Sequence, residues 1–494
     1  MSLSATSSVS RRGKDGKGAS ASVSMDIETD DNTNNEKRPA TGRSMETEDG
    51  EEFDSSDEEE DCTEDMITEI VRGIGSSSCG KRLDNTIRAR KLLSREENPL
   101  LVPFYKAGCL DKLIPHLQRD KESTLQFEAA WAVTNIASGS TELTQGVVDA
   151  GAVPIFIRLL KSPNQQIKEQ AAWALGNIAG DGEPLRNIVV RAGIIPSVLE
   201  AIASVTSSDP VTLVRVLAWV LTNLFRPKGH AIGPCERRDC LLALKQLLQH
   251  HDTEVVVDAL WAVDYIAERD DDSLSDVLDC NGLVSLLVKH LNSHEHERII
   301  PALRATGHLV VGSDEQTDAV VAEGVIPLYG RHLSPSNPTA MRRDAAWALS
   351  NITAGTKQQI QAVIDEDILP LLVKAVGHRS LELQREASWA LGNLTSNGNG
   401  EQIEHLIEAG GVEALARVLP VTEISTVTAA LASLNQIFKH PELGGNAIDR
   451  FEEVGGVEHV EMLQHHNNPS LSDKAKDIIT NYFTQADEKM EVDS

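Results

Sequence analysis

No run of about 18 apolar residues occurs anywhere in the chain, which excludes a transmembrane helix and with it membrane insertion. The opening stretch MSLSATSSVSRRGKDGKG has no apolar core, so it does not read as a secretory signal. The six cysteines (62, 79, 109, 235, 240, 280) show neither CxxC pairs nor framework spacing, as expected of plain thiols in a reducing compartment. Positive charge is short: 46 Lys+Arg face 75 Asp+Glu, a net −29. That balance excludes general binding to nucleic acid or to anionic membranes and favours basic partners. The signals of catalysis are missing too. GDG at 180–182 and NGNG at 397–400 lack the strand-then-helix setting of a phosphate loop. The imidazoles of SHEHER (His294, His296), like His250-His251 and His465-His466, have no third partner at zinc-like spacing. No nucleophile–base pairing is suggested. The expectation is a protein of the cytoplasm and nucleus, without cofactor or metal, and not an enzyme.

What the sequence does hold is repetition. All six tryptophans fall in one cassette: WAVTN at Trp131–Asn135, WALGN at Trp173–Asn177, WVLTN at Trp219–Asn223, WAVDY at Trp261–Tyr265, WALSN at Trp347–Asn351 and WALGN at Trp389–Asn393. Their spacings are 42, 46, 42, 86 and 42 residues, and the missing step within the 86 lands on Arg304, with His308 four places on. At about 100° per residue, Ala171, Leu175 and Ile178 lie opposite Trp173, whereas Asn177 returns to its side. Each cassette helix therefore has an aliphatic back and a Trp–Asn pair facing away from it. A period of 42–46 residues in helical, Gly-punctuated sequence means a stacked-helix solenoid whose units share one continuous core. Solenoids grow in one dimension, so 494 residues pose no difficulty for core size.

The organisation follows. Residues 1–66, rich in Ser, Thr, Gly and charge, are expected to be disordered, and Glu46–Asp65 holds 13 acidic residues in 20. Residues 67–485 are expected to be an all-α, right-handed superhelical solenoid of about ten repeats, and 486–494 a short acidic tail. DAGAVP near Asp149, RAGIIP near Arg191 and AEGVIP near Ala322 mark the units, with Gly ending one helix and Pro starting the next. EAGGVEAL near Glu408 and EVGGVEHV near Glu453 continue the series.

Equivalent helices stacked side by side turn the Trp–Asn pairs into a ladder. Three residues before the tryptophans, on the same face, stand Glu128, Gln170, Asp258, Asp344 and Glu386, with Val216 and Pro301 as exceptions. Asn amides offer both donor and acceptor to an extended backbone. Lys and Arg stems can lie along Trp rings, their cations reaching carboxylates beyond. The ladder is thus a receptor for extended Lys/Arg-rich segments. Tyr265, Arg304 and His308 interrupt it, which predicts two basic-peptide sites, the N-terminal one larger.

These residues resemble importin-alpha, the armadillo-repeat adaptor for classical nuclear localisation signals. The likeness covers about 67–483 and is carried by FEAAWAVTNIASG, KEQAAWALGNIAGD, PALRATG, NITAGTKQQIQAVID and EASWALGN. It implies a major site of Trp131, Asn135, Gly139, Thr144, Gln170, Trp173, Asn177, Asp181, Trp219 and Asn223, with Asp258 and Trp261 at its edge. A minor site would use Arg304, Trp347, Asn351, Glu386, Trp389 and Asn393. The implied partners are cargo proteins with basic localisation signals, importin-beta, and an export receptor that recycles the adaptor through its C-terminal repeats. Two departures stand out. His308 holds a place where the family usually has Asn. Residues 1–66 carry 7 Lys+Arg against 19 Asp+Glu, where the family has a strongly basic segment that recruits importin-beta and autoinhibits the groove. The expectation is a divergent member with altered importin-beta coupling. The alternative is an armadillo scaffold of the beta-catenin kind, whose basic groove is at odds with the −29 charge.

Overall fold

The computed structural model describes residues 63–95, 99–206, 209–226, 231–421 and 423–484. The expected disordered N-terminal segment and acidic tail lie, apart from residues 63–66, outside the described residues. Described secondary structure is entirely helical. The first helix begins at Glu64, where Thr63 Oγ accepts a hydrogen bond from Met66 N–H. The last described helical turn ends at Phe483. No described helix is long and apolar enough to cross a membrane.

The residues divide into two compact units that meet in sequence between Arg269 and Asp270. In the first, the long cassette helices α1 (Cys79–Leu93), α2 (Ser123–Ala137), α3 (Gln165–Gly180), α4 (Val211–Phe225) and α5 (Thr253–Arg269) pack each against the next. The second repeats the arrangement with α6 (His296–Leu309), α7 (Thr339–Thr353), α8 (Leu381–Asn397) and α9 (Ile424–Phe438). Shorter helices between them cover the aliphatic backs. Ala171, Leu175 and Ile178 are fully buried, as the helical wheel of α3 requires.

Several repeats turn at a left-handed residue. Gly151, Gly193 and Gly324 have φ of 80°, 86° and 82°, and each precedes a helix whose proline lies in the first turn. The corresponding turn before Leu369–Val376 uses Asp367 at φ 52°, the only described non-glycine with positive φ. Aspartate is among the few residues that tolerate this region.

Burial makes the described core cysteines chemically quiet. It pushes the Cys109 and Cys240 thiols up to about 12.

Candidate peptide-binding groove

In the first unit the tryptophans and asparagines of α2–α5 line one wall, but more deeply than the wheel alone suggests. Asn177 and Asn223 are 0% exposed, and Trp219 is 2% exposed. Trp173 and Trp261 remain half-buried. The depth comes from how consecutive rungs interlock. A Cβ on Gly176 would lie 2.2 Å from the Trp219 ring, so the glycine of WALGN is the seat of the next tryptophan. Trp173 and Trp219 stand with ring centroids 5.3 Å apart. Where the cassette has Thr in place of Gly, the hydroxyl stitches the helices together. Thr134 Oγ donates to Gln170 O at 3.2 Å, and Thr222 Oγ donates to Asp258 O at 2.7 Å. Thr at 134 and 222 and Gly at 176 are thus two ways of joining neighbouring rungs. The alternation is legible in the sequence once its meaning is known.

The asparagines correct the expectation that both halves of each amide face a ligand. Asn223 Nδ2 donates to Gly176 O (3.0 Å) and Asn135 Nδ2 to Ser94 Oγ (2.6 Å). In the second unit Asn393 Nδ2 donates to Ser350 O (2.8 Å). The donor is spent on the preceding helix, because a helix carbonyl retains a lone pair facing its neighbour. The oxygens of Asn135 and Asn393 are left buried with no partner among the described residues. Asn351 is the reverse case, with Nδ2 buried and unpartnered, and Trp389 Nε1 is in the same position. Each such group costs about 1–3 kcal/mol unless something bonds it.

The carboxylates need a second correction. Glu128 is not a free anion: Arg90, from α1 of the preceding repeat, binds its Oε2 at 2.8 Å, and both side chains are 10% exposed. The same guanidinium lies 4.4 Å from the Trp131 ring centroid. This rung already contains the cation-on-indole arrangement expected of a ligand. In the second unit Asp344 pairs with Arg343 (2.8 Å), which also reaches Glu382 (3.2 Å), and Glu386 pairs with Arg385 (3.2 Å). A buried carboxylate needs a cation nearby. Sequence reasoning missed these arginines because they come from the adjacent position or the adjacent repeat.

The remaining residues take the following places. Thr144 is buried, its hydroxyl donating to Ala137 O (3.0 Å) and Ser140 O (3.1 Å). Gly139 is held against Leu143, whose Cδ1 a Cβ would meet at 2.6 Å. Asp181 caps α3 and accepts from Thr141 Oγ at 3.2 Å. Gln170 and Asp258 are buried at the feet of their tryptophans. Trp261 stacks obliquely on Tyr265 at 5.9 Å. Glu169, one turn before Trp173, has its pKa raised by burial, against the opposing pull of the Thr212 hydroxyl and the Trp173 indole. In the second unit Arg304 is half-buried on α6. Trp347 sits on Gly307, where a Cβ would come within 2.5 Å, and meets the His308 ring edge-on at 4.9 Å.

Repeats of this kind match known proteins along most of the chain. Residues 104–138, 140–180, 313–354 and 356–396 match the armadillo/beta-catenin-like repeat, and 447–494 match an atypical armadillo repeat. Importin subunit alpha-1b of Oryza sativa subsp. japonica is 34% identical over 427 residues, 85% of this chain and 79% of that protein. Importin subunit alpha-3 of Arabidopsis thaliana is 35% identical over 434 residues, with 86% and 81% covered. The chain belongs to the importin-alpha family. Importin subunit alpha-4 of Arabidopsis thaliana agrees, at 36% identity over 433 residues, 86% of this chain and 79% of that protein. A crystal structure of an engineered protein superposes with a TM-score of 0.75 at 28% identity, covering 85% of this chain and 99% of its own. The all-α armadillo-repeat fold and membership of a nuclear import adaptor family therefore stand together.

Proposed function

We propose that the chain is a nuclear import adaptor that binds Lys/Arg-rich localisation signals as extended peptides and couples their cargo to importin-beta. The single observation that carries this reading is the recurrence of Trp–Asn pairs on successive cassette helices, with Trp173, Trp347 and Trp389 left half-buried where a ligand can reach them. An extended peptide carries unpaired backbone N–H and C=O groups that asparagine amides can bond, while its basic side chains lie along the indoles. The net charge of −29 supports a basic ligand.

The major site comprises Trp131, Asn135, Gly139, Thr144, Gln170, Trp173, Asn177, Asp181, Trp219 and Asn223, edged by Asp258 and Trp261. The minor site comprises Arg304, Trp347, Asn351, Glu386, Trp389 and Asn393. In this reading Thr144 and Gly139 shape the wall through the backbone, while Glu386 and its arginine fix the rung. The repeats of 67–485 form the cargo-binding body, with 1–66 and 486–494 as acidic flanks. The protein is an adaptor and not an enzyme; it shuttles between cytoplasm and nucleus, passing the nuclear pore, and an export receptor returns it.

The test is import into nuclei of permeabilised cells, using a reporter that carries a Lys-rich signal. Nuclear accumulation that requires both this chain and importin-beta is expected; accumulation indifferent to the chain contradicts the proposal. The acidic character of 1–66 predicts weaker coupling to importin-beta than a basic segment would give. Strong importin-beta binding that vanishes on deletion of 1–66 contradicts that part.

A further inference from the structure

The second unit contains a cavity of about 590 Å³ away from the tryptophan wall, lined by Ser293, His294, His296, Arg331, His332 and Glu366 among others. Its chemistry departs from that of an equivalent place in the first unit. Asp120 and His294 each stand twelve residues after a left-handed glycine, Gly108 and Gly282. Arg158 and Arg331 likewise each stand seven residues after Gly151 and Gly324. In the first unit Arg158 donates to Leu117 O (3.3 Å) and to both oxygens of Asp120 (3.0 and 3.2 Å). In the second, Arg331 donates to Leu291 O (3.1 Å), but its other contacts are the neutral Asn292 Oδ1 (2.6 Å) and the His332 ring Nε2 (3.5 Å), and His294 holds the sequence place of the carboxylate.

Arg331 is therefore a guanidinium bonded only to neutral acceptors, with imidazoles where its counter-ion would be. His332 is 3% exposed and its Nε2 bonds Leu291 O at 2.9 Å. Burial, and after it the positive fields of Arg331 and His296, hold it below the usual imidazole range, in spite of the bond to Leu291 O. The hydroxyls of Ser293, Ser334 and Ser336 and the Asn337 amide add neutral hydrogen-bonding groups to the same walls. Glu366 is the one carboxylate among the described lining residues. Glu295, between His294 and His296 in sequence, is paired with Arg298 at 2.8 Å.

We propose that this cavity binds a phosphate monoester or inorganic phosphate, with the Arg331 guanidinium and the His294 and His296 imidazoles as donors in the place that Asp120 fills in the first unit. An anion on Arg331 gains charge-assisted hydrogen bonds, and a planar guanidinium suits a phosphate. The site is independent of the peptide ladder, so its failure would leave the import reading untouched.

The experiment is calorimetric titration of the full chain with inorganic phosphate, and with a phosphoserine peptide free of Lys and Arg, against its unphosphorylated form. The variant is His294→Asp, which restores the carboxylate and so gives Arg331 an internal partner. As His294 is exposed, the variant is expected to fold, which an unchanged or slightly raised melting temperature checks. Saturable binding that weakens by roughly tenfold or more in His294→Asp is expected. Tighter binding of the phosphopeptide than of inorganic phosphate would assign the site to a phosphorylated segment; equal affinity would assign it to free phosphate. No saturable heat with either probe, or equal binding by wild type and variant, would overturn the proposal.

Discussion

The two ladders share residues but solve the same electrostatic problem differently. In the first unit the carboxylate before Trp131 is neutralised from the preceding repeat, by Arg90, which also covers the indole. In the second, Asp344 and Glu386 are neutralised by the residue just before each on the same helix. In the first unit the near cation comes from the preceding repeat; in the second it comes from the same helix, although Arg343 also reaches Glu382 of the next repeat at 3.2 Å.

Breaking Arg90 gives the largest effect. Arg90→Ala leaves Glu128 buried without a cation and is expected to cost about 3–5 kcal/mol in chemical denaturation. Adding Glu128→Gln recovers much of that loss. The glycine seats come next. Gly176→Ala forces a Cβ against Trp219 and is expected to cost about 1–3 kcal/mol, together with peptide affinity. Gly392→Ala meets only Ser433 Oγ, at 3.2 Å, and its effect stays within about 0.5 kcal/mol. Equal losses from the two would show that seating tryptophans is not what these glycines do.

Smaller again are the amides. Asn393→Ala removes the bond to Ser350 O and is expected to cost about 0.5–1.5 kcal/mol in urea titration. Glu169 supplies the gentlest test, through pH. Its folded pKa is raised, so its protonated form suits the fold; stability is intact below the unfolded pKa and is lost as pH rises through the folded one. Glu169→Gln should therefore melt above wild type at pH near 7.5, the gap closing as pH falls toward 4.5. A gap independent of pH would show that burial of the charge is not the cause.

Much of this was written in the sequence. The 42–46-residue period, the Gly-then-Pro punctuation and the WxxxN register place the helices and name the rungs, because helix geometry is local. The direction of the Asn donors was not legible: it depends on a carbonyl of the neighbouring helix, such as Gly176 O, some 47 residues away. Arg90 escaped for the same reason, lying 38 residues before Glu128. That His294 stands at the register position of Asp120 emerges only when two repeats are aligned on their left-handed glycines.

The most direct test of the ladder is fluorescence anisotropy of a short labelled Lys-rich peptide, titrated with wild type, Trp173→Ala/Asn177→Ala and Trp389→Ala/Asn393→Ala. Binding of about 1 µM or tighter that salt weakens, and that the first double variant loses more fully than the second, is the predicted result. Binding that neither double variant disturbs would contradict the account.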